Sequence, residues 1–150
     1  MNPVIQEVTD RIIQRSLASR KRYLEKIESA RLQGPHRGEL SCGNLAHGFA
    51  ACGTEDKSDL RSMTKSNIAI VSSYNDMLSA HQPYEAFPAR LKKAIKDVGS
   101  VAQFAGGVPA MCDGVTQGTP GMDLSLMSRD VIAMATAVGL SHNMFDGTLM

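Results

Sequence analysis

Two stretches in the latter part of the chain hold the side chains best suited to chemistry. Asn75, Asp76 and His81 fall between Tyr74 and Pro83; Cys112 and Asp113 fall between Gly106 and Gly121. A carboxylate set between Cys112 and Gly114 suits a hard cation such as Mg²⁺, which takes oxygen ligands. A thiolate at Cys112 suits a softer iron site. Each residue also has an ordinary alternative: Asp113-Gly114 is a common turn dipeptide, and Asn75-Asp76 fits an Asx-rich loop. A third group is Cys42, His47 and Cys52, with four residues between each and the next. That spacing lacks the close cysteine pair of a structural zinc site, and no fourth ligand stands nearby, so packing outweighs zinc there. Gly114, Gly118 and Gly121 give G-x-x-x-G-x-x-G, which is neither the dinucleotide nor the P-loop pattern. Their backbone could hold a phosphate or carboxylate at the next helix start, but Asp123 would oppose an anion.

Composition narrows the field around these residues. The chain has 150 residues and a net charge of +1, with 43% hydrophobic and 21% charged residues. A near-neutral balance lacks the footprint of a general nucleic-acid binder. No apolar run approaches the ~20 residues that span a bilayer, and the amino terminus has no signal-peptide stretch. Three cysteines, an odd number, argue against a disulfide framework and for a reducing compartment. The expectation is a cytoplasmic α/β protein with no nucleic-acid or membrane partner.

The elements that must position the loops follow from punctuation and periodicity. Asn2 and Pro3 read as cap and first residue of a long helix ending at Gly34-Pro35, with basic residues on its polar face. Residues 36–53 read as irregular, followed by a short helix from Glu55 to Lys65 capped by Thr54. Asn67 to Ser73 is a buried strand by its β-branched apolar run. Tyr84, Phe87, Leu91, Ile95 and Val98 mark a helix stopped by Gly99, and Val101 to Ala105 a second strand. A third helix is expected from Asp123 to Val138, with Leu124, Met127, Val131, Met134 (or Ala135) and Val138 inward and Gly139 as its end. A third strand opens near Gly147, and the chain is expected to continue past Met150.

Strand–helix–strand–helix–strand predicts a three-layer α/β/α fold with a mainly parallel sheet. Residues 1–66 are expected as a helical amino-terminal region and connector, and 67–150 as the start of the α/β/α domain. Ligands in such sheets sit outside the carboxyl ends of the strands, where both loops fall. That position makes Asn75, Asp76 and His81 the candidate substrate-binding residues, Asp113 a candidate hard-cation ligand and Cys112 a candidate thiolate for an iron site.

Long runs carry a family resemblance across nearly the whole chain. They are Cys42-Gly43-Asn44-Leu45-Ala46-His47-Gly48-Phe49, the stretch from Ser73 through Asn75-Asp76-Met77 to Glu85, and Ala105 through Cys112-Asp113-Gly114 to Gly118. Ser128-Arg129-Asp130 and Ser141-His142-Asn143-Met144-Phe145-Asp146-Gly147 continue it. The chain resembles the dihydroxy-acid and sugar-acid dehydratases, on their phosphogluconate branch. The resemblance implies an α/β/α domain followed by a β-barrel-like domain, and a homodimer. It also implies an iron–sulfur cluster (4Fe–4S favoured over 2Fe–2S) with Mg²⁺ nearby in several members. The implied reaction is dehydration of 6-phosphogluconate to 2-dehydro-3-deoxy-6-phosphogluconate in the Entner–Doudoroff route.

Residue by residue, Asp113 matches the acid of an S-D-G-type motif that resembles a Mg²⁺ ligand. The family's C-D-K-x-x-P-G motif is expected just after Met150, and the catalytic base beyond it. Other members have a cysteine where this chain has Ala80, which removes one implied cluster ligand; Cys112 is the candidate replacement. The alternatives are a dehydratase of another sugar acid or dihydroxy acid in the same family, a non-catalytic phosphate- or nucleotide-binding α/β module, and a zinc-stabilised interaction domain.

Overall fold

A computed structural model describes residues 2–107 and 110–150. The chain divides into two compact units, Met1–Gly34 and Pro35–Met150. The first is a single helix, α1 (Pro3–Leu32). Asn2 caps it, its side chain accepting the Val4 N–H at 2.9 Å, with Pro3 in the first turn. At the far end Gly34 takes φ +80°, a left-handed conformation that glycine adopts without a Cβ penalty. None of the residues of α1 is buried within its own unit.

The second unit is built on a parallel three-stranded sheet in the order β2-β1-β3. Its strands are β1 (Asn67–Ser72), β2 (Val101–Gly107) and β3 (Gly147–Leu149). The central strand is apolar and β-branched because it is covered on both faces: Ala69, Ile70 and Val71 are all buried. Asn67 pairs with Val101 and Ile70 with Phe104, after which the register slips and Val71 pairs with Gly106. Gly106, at φ +149°, lies at the bulge, and Gly107 still pairs with Ser72.

Residues 36–66 belong to this unit, although the sequence groups them with the amino-terminal helix. They form a 3₁₀ turn (His36–Glu39) and two helices, α2 (Cys42–Phe49) and α3 (Thr54–Arg61). The expected irregular segment is thus largely helical. Ser41 caps α2 by accepting the Asn44 N–H at 3.2 Å, and Leu45 and Phe49, one turn apart, reach the core. Glycines at 43 and 48 had masked that pattern. Gly48 is where α2 meets Met144, whose Sδ a Cβ at that position would overlap. Helix α3 is shorter than expected and starts at Thr54, with Gly53 in the cap position. It ends where Met63 takes φ +57°.

Phe49, Leu60, Val101 and Met144 form the core cluster, with Leu40, Leu45, Cys52 and Phe145 packed against it. Beside it Arg37 is 1% exposed. Its Nε donates to the Leu60 carbonyl (3.1 Å), Nη2 to the Lys65 carbonyl (2.5 Å) and Nη1 to Asp146 Oδ2 (2.9 Å). The same Asp146 oxygen accepts the Asn67 N–H at 2.8 Å. One guanidinium thereby ties the connector to the starts of β1 and β3.

Helix α4 (Phe87–Asp97) links β1 to β2, with Pro88 in its first turn and Gly99 (φ +80°) beyond its end. Helix α6 (Leu124–Leu140) links β2 to β3. The segment between β2 and α6 holds a short helix, α5 (Asp113–Thr116), and a 3₁₀ turn (Pro120–Asp123). Val108 and Pro109 of the expected glycine-rich loop lie outside the described residues.

Helix α6 departs from expectation at its end and over part of its inward face. The helix runs through Gly139 instead of ending there, because a Cβ at this position would stand 3.4 Å from the Ala105 carbonyl oxygen of β2. The missing side chain admits the strand. Its packed side is partly as expected: Val131 and Ala135 are half-buried, but so are Ser128, Ile132, Gly139 and Leu140. Leu124, Met127, Met134 and Val138 are more than half exposed. An α-helix apolar on several sides has no unique stripe, and close approach to the sheet selects the smaller residues.

Candidate functional site

Both chemistry-bearing loops leave the carboxyl ends of adjacent strands. The segment after β1 crosses toward the one after β2, where the Asn75 Nδ2–H donates to the Ala110 carbonyl at 2.9 Å. Asn75 Oδ1 accepts the N–H groups of Met77 (2.8 Å) and Leu78 (3.0 Å). The amide is therefore spent on shaping its own Asx turn and pinning the neighbouring loop.

Asp76 is exposed and accepts the Tyr74 hydroxyl at 2.5 Å. That hydrogen bond to the carboxylate pushes the Tyr74 phenol up to about 12. Asp76 is thus already engaged in a local pair. His81 is half-buried, with Nδ1 2.9 Å from the Ser73 carbonyl and 3.1 Å from Ser73 Oγ. Its ring tilts against that of Tyr84, with centroids 5.1 Å apart.

His81 lines a cavity of about 420 Å³ beside the ends of β1 and β3, with Ser72, Ser73, Tyr84, Thr136 and Leu149. Cys112 lines a separate, largely apolar hollow of about 370 Å³, with Met77, Met111, Val115, Leu124 and Met127. The three candidate substrate-binding residues thus divide: Asn75 and Asp76 are committed within the loop, and His81 lines the cavity beside β1 and β3. The sequence missed Ser73 and Tyr84 as wall residues. The polar Ser72-Ser73 pair closing an apolar strand was the available signal.

Asp113 opens α5 and accepts the Ser125 hydroxyl through Oδ1, joining α5 to the start of α6. Among the described residues, no three or more His, Cys, Asp or Glu side chains gather in a way that could hold a metal ion. One carboxylate supplies a fraction of the oxygen ligands that Mg²⁺ requires. The three thiols do not converge either. Cys42 is exposed on α2, and Cys52 lies beside Gln103, whose Nε2–H reaches its sulfur at 3.2 Å. Cys112 precedes α5. Burial pushes the Cys52 thiol up, against the pull of that hydrogen bond, which makes it a packing group. The described residues by themselves fit neither a cluster nor a complete Mg²⁺ site; Asp113 brings a single carboxylate and Cys112 a single thiol.

No helix among the described residues is long and apolar enough to cross a membrane. A family profile described as "Dihydroxy-acid/6-phosphogluconate dehydratase N-terminal" matches residues 65–150, the stretch that holds the sheet and both loops. A Pseudomonas aeruginosa protein named phosphogluconate dehydratase is 67% identical over 149 residues, 99% of this chain and 24% of that protein. The Escherichia coli K12 protein of the same name is 64% identical over 149 residues, covering 99% of this chain and 25% of its own length. A dihydroxy-acid dehydratase of Lachnospira eligens is 35% identical over 88 residues, 59% of this chain and 16% of that protein. The chain spans about a quarter of the length of the curated phosphogluconate dehydratases it matches. With the profile covering more than half of it, the chain belongs to the dihydroxy-acid/6-phosphogluconate dehydratase family and corresponds to its amino-terminal region.

Proposed function

We propose that this chain supplies the amino-terminal part of a hydro-lyase that converts 6-phosphogluconate to 2-dehydro-3-deoxy-6-phosphogluconate and water, as in the Entner–Doudoroff pathway. The observation that carries the reading is the contrast between relatives. Identity to a protein named phosphogluconate dehydratase is 67% over 99% of the chain. To a dihydroxy-acid dehydratase it is 35% over 59%.

The reaction removes the proton from the carbon next to the carboxylate. The hydroxyl on the following carbon leaves, taking up a proton as water, and the enol relaxes to the ketone. In the family resemblance an iron–sulfur cluster and Mg²⁺ serve this chemistry, with Asp113 offering one oxygen ligand and Cys112 one thiolate. Because the ligand set here is incomplete for both, the part assigned to this chain is binding and orientation. Asn75 holds the two strand-end loops together, and His81 presents an imidazole to the cavity between β1 and β3. The reading carries with it a cytoplasmic homodimer.

The test uses the intact protein that contains this chain, with formation of the 2-keto acid as the readout. Turnover of 6-phosphogluconate should exceed that of gluconate and of 2,3-dihydroxyisovalerate by about 100-fold or more in kcat/KM. Preference for either alternative substrate would replace this reading with the corresponding one in the same family.

A further inference from the structure

We propose that His81 is a specificity-determining residue, accepting through Nε2 a hydrogen bond from an uncharged hydroxyl of the substrate's carbon chain bound between the ends of β1 and β3. The proposal rests on the sugar-acid reading above and adds which part of the substrate this cavity takes.

Topology supplies the first argument. With the order β2-β1-β3, the chain leaves β1 to one side and returns to the other. A crevice opens outside the carboxyl ends of two neighbouring strands where such connections diverge. The cavity that Ser72, Ser73 and Leu149 line stands at that place, and about 420 Å³ is ample for a small molecule.

Charge supplies the second. Among the described residues the cavity's walls carry hydroxyls and apolar groups, with His81 as the one titratable side chain besides Tyr84, and no Lys, Arg, Asp or Glu. From the described walls a phosphate or a carboxylate gains no lysine or arginine to offset its desolvation. A neutral hydroxylated stretch meets no such penalty.

The third argument is the tautomer. A carbonyl oxygen can only accept, so His81 Nδ1, 2.9 Å from the Ser73 carbonyl, bears the hydrogen. In the neutral ring Nε2 then holds the lone pair. The Tyr84 ring fixes the tilt of the imidazole. Among the described residues no protein group is hydrogen-bonded to Nε2. Thr136 offers no competing hydroxyl donor, since its Oγ1–H is given to the Ile132 carbonyl at 2.8 Å. The site therefore presents an oriented acceptor with its protein-side bond already made.

In 6-phosphogluconate the reaction consumes the hydroxyls at the second and third carbons, leaving those at the fourth and fifth as the uncharged donors. The experiment compares the wild-type intact enzyme with His81→Asn and His81→Gln, on 6-phosphogluconate and its 4-deoxy and 5-deoxy analogues. Asn keeps a donor near the Nδ1 position and loses the Nε2 acceptor; Gln places an amide oxygen close to it. His81→Asn should raise KM for the parent substrate about 10- to 30-fold with kcat changed less than about 3-fold, as for a hydrogen bond made equally in ground and transition states. On one deoxy analogue the same substitution should cost less than about 2-fold, and His81→Gln should recover part of the loss on the parent.

An equal loss on all three substrates would make His81 a purely structural residue and overturn the proposal. No loss on any would do the same. If His81→Asn does not fold, the wild-type enzyme decides alone: one deoxy analogue must raise KM by about 10-fold or more, and two analogues handled like the parent refute the assignment. A wild-type enzyme that does not dehydrate 6-phosphogluconate overturns the functional reading itself, a result distinct from every outcome above.

Discussion

Arg37 gives the most demanding test of the packing argument. Replacing it with alanine removes a side chain that is 0% exposed, together with three hydrogen bonds: to Asp146 and to the carbonyls of Leu60 and Lys65. Breaking a buried ion pair from one side costs about 3–5 kcal/mol, since the partner's charge loses its compensation. Asp146 is 21% exposed at its side chain and regains some water, which pulls the figure toward the lower end. The two orphaned carbonyls push it back up, at about 1–3 kcal/mol each where water cannot reach them. A loss of about 4 kcal/mol is expected, a large share of the ~5–15 kcal/mol typical of a domain. The chain has no tryptophan, so the assay is urea unfolding followed by far-ultraviolet circular dichroism. At a slope of ~2 kcal/mol per molar urea, the midpoint should fall by about 2 M. Asp146→Asn keeps an acceptor for the Asn67 N–H but strands the guanidinium, and should cost somewhat less. An Arg37→Ala/Asp146→Asn double variant should lose at least about 1 kcal/mol less than the two single losses added, the signature of direct coupling. A midpoint shift below about 0.5 M for Arg37→Ala, or strict additivity, would refute the idea that this guanidinium clasps the connector to the sheet.

Asp113→Asn retains an acceptor for the Ser125 hydroxyl, so stability should change by less than about 1 kcal/mol. If the negative charge is what the site uses, turnover by the intact enzyme should fall about 100-fold or more; near wild-type turnover would leave Asp113 as a turn former before Gly114. Gly48→Ala should destabilise by about 1–2 kcal/mol in thermal or urea unfolding. The added methyl overlaps buried Met144 by more than the ~1 kcal/mol of helix propensity it gains. A stabilised variant would show that Met144 can move aside. At pH 7.5, iodoacetamide should label exposed Cys42 well before Cys52, because burial raises the Cys52 thiol and depletes its thiolate at that pH. Equal labelling rates, read by mass spectrometry, would contradict the packed position of Cys52.

Much of the scaffold is written locally. The Asn2-Pro3 start and Gly34 stop of α1, the β-branched run of β1 and the glycine beyond α4 act through neighbours within a turn or two. Local sequence therefore determines them, and the structure agrees to within a residue or two. The placement of both loops beyond strand ends follows from the order of elements alone. Tertiary structure decided what lay beyond that range. Arg37 reads as one more basic residue until Asp146, 109 positions away, gives it a partner and a reason to be buried. Helix α6 carries apolar residues on several sides, so only contact with β2 at Gly139 could select the packed one. In the loops, Asn75, Asp76 and His81 are equally polar in sequence. The reach of Asn75 to Ala110, the Tyr74–Asp76 pair and the hold of Ser73 on Nδ1 give the three different surroundings, with His81 at the cavity beside β1 and β3. The long-range partners, Ala110 for Asn75 and Asp146 for Arg37, are set by the packed sheet, because residue types and spacing carry no record of them.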